Sequence, residues 1–152
     1  MNDWCKEMEE ALTAFVTVTE LAGESVKREE LLVEYLPAPH KPPLNLPAGK
    51  IAIYGYWWND IWLKIGQAGS KSIARYTSHH YNPNSSNSNL SKSLINDARM
   101  ENVNGFDENK PGEWIKKSTC RVNILISAHR GKAMLSLLEA FLHVRLNPRY
   151  EG

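Results

Sequence analysis

Apolar residues recur at helical spacing over residues 3–22, where Trp4, Met8, Leu12, Phe15 and Val16 fall on one face. Gly23 supplies the stop. Val26, Leu31, Leu32, Tyr35 and Leu36 predict a second helix over 24–36. Five prolines between Pro37 and Pro47 then forbid regular structure and favour an extended path. Residues 50–57 and 61–66 read as strands joined around Asn59-Asp60. Ser70 is placed to cap a helix from Lys71 to about His79. Residues 81–89 are too polar to pack and read as a surface loop. Leu90, Leu94, Ile95 and Ala98 predict a helix over 90–101, and 102–112 is turn-rich. Val122, Ile124, Leu125 and Ile126 mark a buried strand over 121–127, and a last helix over 132–146 stops at Pro148.

This order predicts an α+β protein, a small, mainly antiparallel three-stranded sheet flanked by helices. A chain of 152 residues suits one domain. Its expected parts are a helical extension over 1–36, a proline-rich linker over 37–49 and a core over 50–152. The net charge of +1 hides an asymmetry. Residues 1–36 carry nine acids and three bases, whereas the remainder carries fifteen bases and eight acids. The basic part suits a phosphate-facing surface; an acidic helix pair on an ordinary domain gives the same numbers. Cys5 and Cys120 form no metal-spaced pair and are expected as free thiols. The polar, acidic amino terminus is unlike a secretory signal, and no apolar run approaches membrane-spanning length, so the expected location is the cytoplasm.

Several residues carry chemistry. Tyr54 is a packing residue of the sheet or a phenol that orients or deprotonates an attacking water. Its ordinary pKa of about 10 needs a nearby cation to come within reach, and Lys64 is the candidate. A two-residue turn at Asn59-Asp60 pairs Tyr54 with Ile65 and sends Lys64 to the opposite side. A shared face therefore demands an irregular hairpin. Arg75 and His79 stand four apart, on one face of the expected helix. The arginine suits a phosphate clamp and the histidine a proton relay; a surface ion pair is the alternative for Arg75. His80 is expected to be exposed. Glu139 interrupts the apolar stripe of Leu135, Leu142 and Leu146, as a cation ligand or as a partner of His143 or an arginine. Lys71, His80, Lys116, Lys117, Arg121, Arg130 and Lys132 are candidate phosphate contacts.

Ala52-Ile53-Tyr54, Lys64-Ile65-Gly66, Arg75, His79 and Glu139 together resemble the motifs of the GIY-YIG nuclease superfamily. Alanine replaces the usual first glycine, and lysine replaces tyrosine in the second motif, as in a restriction-endonuclease branch. The tail Leu146-Asn147-Pro148-Arg149-Tyr150-Glu151 resembles the family ending, with Glu151 near the place of an asparagine. The resemblance covers residues 50–152. It implies hydrolysis of double-stranded DNA by an endonuclease, with Tyr54, Lys64, Arg75, His79 and Glu139 catalytic. It also implies Mg²⁺ held at Glu139, with Mn²⁺ able to substitute, and products ending in 3′-hydroxyl and 5′-phosphate. A palindrome-cutting enzyme of this sort would be a homodimer. A repair or mobile-element nuclease, and a DNA-binding module without catalysis, are the alternatives.

Overall fold

In the computed structural model, which describes residues 2–86 and 88–150, one sheet separates two apolar layers. The elements run α1 (Asp3–Leu21), β1 (Leu32–Leu36), β2 (Lys50–Trp58), β3 (Ile61–Ala68), α2 (Ile73–Thr77), α3 (Leu90–Ile95), α4 (Pro111–Ser118), β4 (Cys120–Ser127) and α5 (Gly131–Leu146). The strands lie in the order β1-β4-β2-β3, and each neighbouring pair is antiparallel. The α+β class is as expected, but among the described residues the sheet has four strands rather than three. Among the described residues no helix is long and apolar enough to cross a membrane. Glu151 lies outside the described residues.

The fourth strand comes from the segment read as a second helix. Residues 24–36 instead form a short 3₁₀ turn, Arg28–Glu30, and then β1. Val33 and Tyr35 alternate onto the same apolar layer as α1, which suits a half-buried strand. Leu32 pairs with Leu125 and Leu36 with Arg121, so β1 satisfies the outer edge of β4. That non-local pairing outweighs the local helical pattern. Glu9 of α1 fixes the turn, accepting from the Arg28 guanidinium at 2.7 Å and from the Tyr35 hydroxyl at 3.0 Å.

One layer packs α1 and α5 against the sheet through Met8, Leu12, Phe15, Ile53, Ile124, Leu135 and Leu138. The other face carries Ala52, Tyr54, Tyr56, Leu63 and Leu125 beneath Tyr76, Leu90, Leu94 and Trp114. The α4 helix had no counterpart in the pattern reading. Pro111 sits in its first turn, where the missing N–H costs nothing, and Trp114 and Ile115 bury its face. The helix expected over 90–101 closes early: α3 ends at Ile95 and a 3₁₀ turn spans Ala98–Asn102. Its start is fixed by the Asn89 side chain, which accepts from the Lys92 N–H at 2.8 Å.

The proline-rich stretch has no helix or strand, as its composition requires. It is nevertheless pinned at His40, which is buried. The His40 Nδ1–H donates to the Thr119 carbonyl at 2.7 Å, and its Nε2 accepts from the Tyr81 hydroxyl at 2.8 Å.

Candidate active site

The β2–β3 hairpin sets the geometry. Asn59 and Asp60 both adopt left-handed backbone, with φ of 50° and 63°, the conformation of a tight two-residue turn. Next to the turn Trp57 pairs with Trp62, but Tyr56 pairs with Lys64. Leu63 is the extra residue of a bulge, and beyond it the register is displaced by one. Tyr54 consequently pairs with Gly66, and Lys64 falls on the same face as Tyr54. The irregularity that a shared site demands is present.

Gly66 lets the Tyr54 ring cross β3. A Cβ at this position would lie 2.5 Å from the Tyr54 hydroxyl oxygen. Gly66→Ala is therefore expected to displace Tyr54 and to cost about 1–3 kcal/mol of stability. Chemical denaturation checks this; an unchanged midpoint would mean that the ring has room to move.

A cavity of about 610 Å³ opens along β3, lined by Lys64, Gly66, Lys71, Arg75, Lys132, Glu139 and His143 among others. Arg75 stands on α2 and Glu139 on α5, helices that pack on opposite faces of the sheet. They meet because β3 is the outermost strand, so both helices reach around its edge. Four cationic side chains and one carboxylate on the wall suit a polyanion. The chain after α5 turns at Asn147 and bonds to β3, Arg149 N–H to the Trp62 carbonyl and Tyr150 N–H to the Leu63 carbonyl, each at 2.8 Å.

Tyr54 is fully buried, one layer beneath this wall. Burial pushes its phenol up to about 12, opposed by the charge and hydrogen bond of Arg75 and by the charge of Arg121, and reinforced by Glu139. Two arginines are the largest cationic influences on the Tyr54 phenol, and the charge of Lys64 bears on His80.

The histidine beside Tyr54 is His80, not His79. Helix α2 ends at Thr77, where the Thr77 and Ser78 hydroxyls bond back to the Ile73 and Ala74 carbonyls at 3.0 and 3.4 Å. A 3₁₀ turn over His79–Tyr81 follows, so His79 is not one helical turn from Arg75 and does not line the cavity. His80, expected at the surface as a phosphate contact, is buried instead, its Nε2 2.6 Å from the Tyr54 hydroxyl. The Leu90 N–H donates to its Nδ1 at 3.1 Å, so in the neutral ring the proton sits on Nε2 and is donated to Tyr54. The sequence signal for this choice is faint: His80 continues the spacing of Tyr76 by four residues.

His80 is pushed down to about 2, first by burial and then by the charges of Lys64, Arg75 and Arg121. An unfolded histidine takes up a proton near about 6.5. Below that pH the unfolded state binds more protons, so stability is full at higher pH and falls as pH drops. His40, also shifted down by burial, acts in the same direction. Denaturation midpoints are expected to fall between pH 7 and 5.5, His80 accounting for about 1 kcal/mol. A midpoint indifferent to this change would contradict a buried neutral His80.

The remaining candidates divide. Lys71 and Lys132 line the cavity. Lys116 lies near Glu113 at 3.6 Å, and neither it nor the exposed Lys117 is on the cavity wall. Arg130 pairs with Glu30 at 2.6 Å and bonds to the Ser25 carbonyl, tying α5 to the amino-terminal segment. Arg121 is fully buried, so it cannot track a DNA backbone; β4 aims it into the layer that holds Tyr54 and Tyr56.

Among the described residues no group of three or more His, Cys, Asp or Glu side chains is placed to hold a metal ion. Glu139 lines the cavity together with Gln67, Ser70 and Ser72. A single carboxylate suits a hard cation completed by water and phosphate oxygens, not an all-protein cage. Comparisons with protein-family models, with curated proteins and with solved structures find no match.

Proposed function

We propose that the chain is a metal-dependent DNA endonuclease of GIY-YIG type, a restriction-type enzyme cutting double-stranded DNA in the cytoplasm as a homodimer. The observation that carries this reading is the meeting of Lys64, Arg75 and Glu139 on one cavity wall directly above Tyr54. Residues far apart in the chain converge as phosphodiester hydrolysis requires.

In this reading the scissile phosphate enters the cationic cavity and engages Arg75 and Lys64. The charge of Arg75 bears on the Tyr54 phenol in the free protein, and a phosphate oxygen engages its guanidinium donors. Water reaches the phenol oxygen as that guanidinium turns toward phosphate. Tyr54, held by the His80 Nε2–H, then orients water against phosphorus and as phenolate accepts its proton. The water oxygen bonds to phosphorus while the bond to the 3′-oxygen breaks, and the departing 3′-alkoxide takes a proton from solvent to become the 3′-hydroxyl. Arg75 and Lys64 offset the charge that accumulates on the phosphoryl oxygens. Mg²⁺ or Mn²⁺ bound at Glu139 would supply Lewis-acid stabilisation of the leaving 3′-oxygen.

The complete burial of Tyr54 favours a second reading, a module that binds DNA without cutting it. Supercoiled plasmid incubated with the protein in Mg²⁺ or in EDTA separates the two. Nicked or linear plasmid in Mg²⁺ alone supports the enzyme; retarded but intact plasmid in both supports the binder.

A further inference from the structure

Arg121 is the charged group that the proposed reaction leaves unused. It is 0% exposed near the start of β4. Its Nε–H donates to the Asn123 amide oxygen at 2.7 Å, and one terminal nitrogen donates to the Tyr56 and Tyr81 hydroxyls at 3.0 Å each. The other donates to the Tyr76 carbonyl at 2.6 Å. Every acceptor is a neutral oxygen. The guanidinium also lies over the rings of Tyr54, Tyr56 and Tyr76, with centroid distances of 5.5, 5.3 and 5.1 Å.

Burying a charge is expensive, and an acidic partner is the usual compensation. Position 123 offers the obvious place for one. Asn123 touches Arg121 and pairs directly with Tyr54 across the sheet, yet it is an amide rather than a carboxylate. Each guanidinium nitrogen has an acceptor, and the charge is left uncancelled beside Tyr54. We propose that Arg121 is a positioning residue whose buried, uncancelled charge favours the anionic form of Tyr54 and keeps His80 neutral, with Asn123 as the amide that preserves that charge. The proposal rests on the nuclease reading for its purpose, but its electrostatic content stands apart from cleavage.

His80 is hydrogen-bonded to Tyr54 and Arg121 lies over its ring, with Tyr56 and Lys64 on the same face of the sheet; the charges of Arg75 and Glu139 act on it from farther off. Arg75 and Lys64 line the cavity, where phosphate would claim them. Arg121 cannot be reached from there, so its effect persists when DNA is bound.

Asn123→Asp tests this with almost no change of shape. The carboxylate would pair with the guanidinium and cancel its charge while keeping the fork in place. A fluorinated tyrosine introduced at position 54, acidic enough to titrate within the folded range, gives a ¹⁹F NMR readout without DNA or metal. Its titration is expected to move up by at least about one pH unit in Asn123→Asp, and by a similar amount in Arg121→Met. Arg121→Lys, which keeps the charge, is expected to move it much less. Single-turnover cleavage by Asn123→Asp with the natural Tyr54 is expected to fall about tenfold or more although its denaturation midpoint is not lowered. An unmoved titration in folded Asn123→Asp would overturn the proposal and leave Arg121 a strut for the Tyr76–Tyr81 segment. A moved titration in a chain that cuts no DNA would sustain the coupling and refute the nuclease reading.

Discussion

Glu139→Ala is expected to lower the single-turnover cleavage rate on the order of 10³-fold while leaving DNA affinity unchanged or slightly tighter. The carboxylate stands on a wall that also carries Lys64, Lys71, Arg75 and Lys132. Removing it makes the cavity more positive, and binding draws on phosphate contacts in general rather than on one acid. The reaction instead loses the oxygen that would hold the cation against the leaving group. Glu139→Gln distinguishes this from a packing role, because an amide keeps the volume and forfeits the charge. Both variants are expected to be inactive and to bind a labelled duplex in a mobility-shift assay. Normal cleavage by either would remove Glu139 from the chemistry.

Tyr54→Phe is expected to cost about 10² to 10⁴ in cleavage rate and about 1–3 kcal/mol of stability. The stability loss arises because the His80 Nε2–H donates to the phenol oxygen, and phenylalanine leaves that buried donor without an acceptor. The pH dependence is the sharper signature. With the phenol pushed up to about 12, the anionic fraction rises with pH throughout the range in which the protein is folded. Wild-type rate is therefore expected to climb steadily above neutrality without a plateau, and the residual rate of Tyr54→Phe to lose that climb. A wild-type profile that levels off below pH 8 would assign the titrating base to another group.

The parts of the fold that rest on local pattern were legible. The α1 helix, the β2–β3 hairpin with its Asn59-Asp60 turn, β4 and α5 all follow from periodicity and turn chemistry. The parts decided by distant partners were not. Residues 24–36 carry a helical pattern, but an unpaired edge of β4 stood ready, and no window of local sequence reveals that edge. The same limit applies to the site. Lys64, Arg75 and Glu139 share the cavity wall, whereas His79 does not reach it, because α2 ends at Thr77, two residues short of its expected end. Arg121 was read as a surface charge, since lone arginines usually are. A better signal was present: Arg121 and Asn123 alternate with Val122, Ile124 and Ile126 in a strand that is buried over 121–126. Polar residues at period two on such a strand mark a buried polar network. Tyr54 and Tyr56 hold the same parity on the neighbouring strand and face it.

The central claim is that the β3-edge cavity cuts phosphodiester bonds, and the mapped cleavage pattern on a plasmid of known sequence tests it most directly. Wild-type protein in Mg²⁺ is predicted to give discrete cuts at recurring sites, with 3′-hydroxyl and 5′-phosphate ends that a ligase rejoins, and Glu139→Ala to give none. Intact plasmid with the folded wild-type protein, or the same cuts from Glu139→Ala, would contradict it.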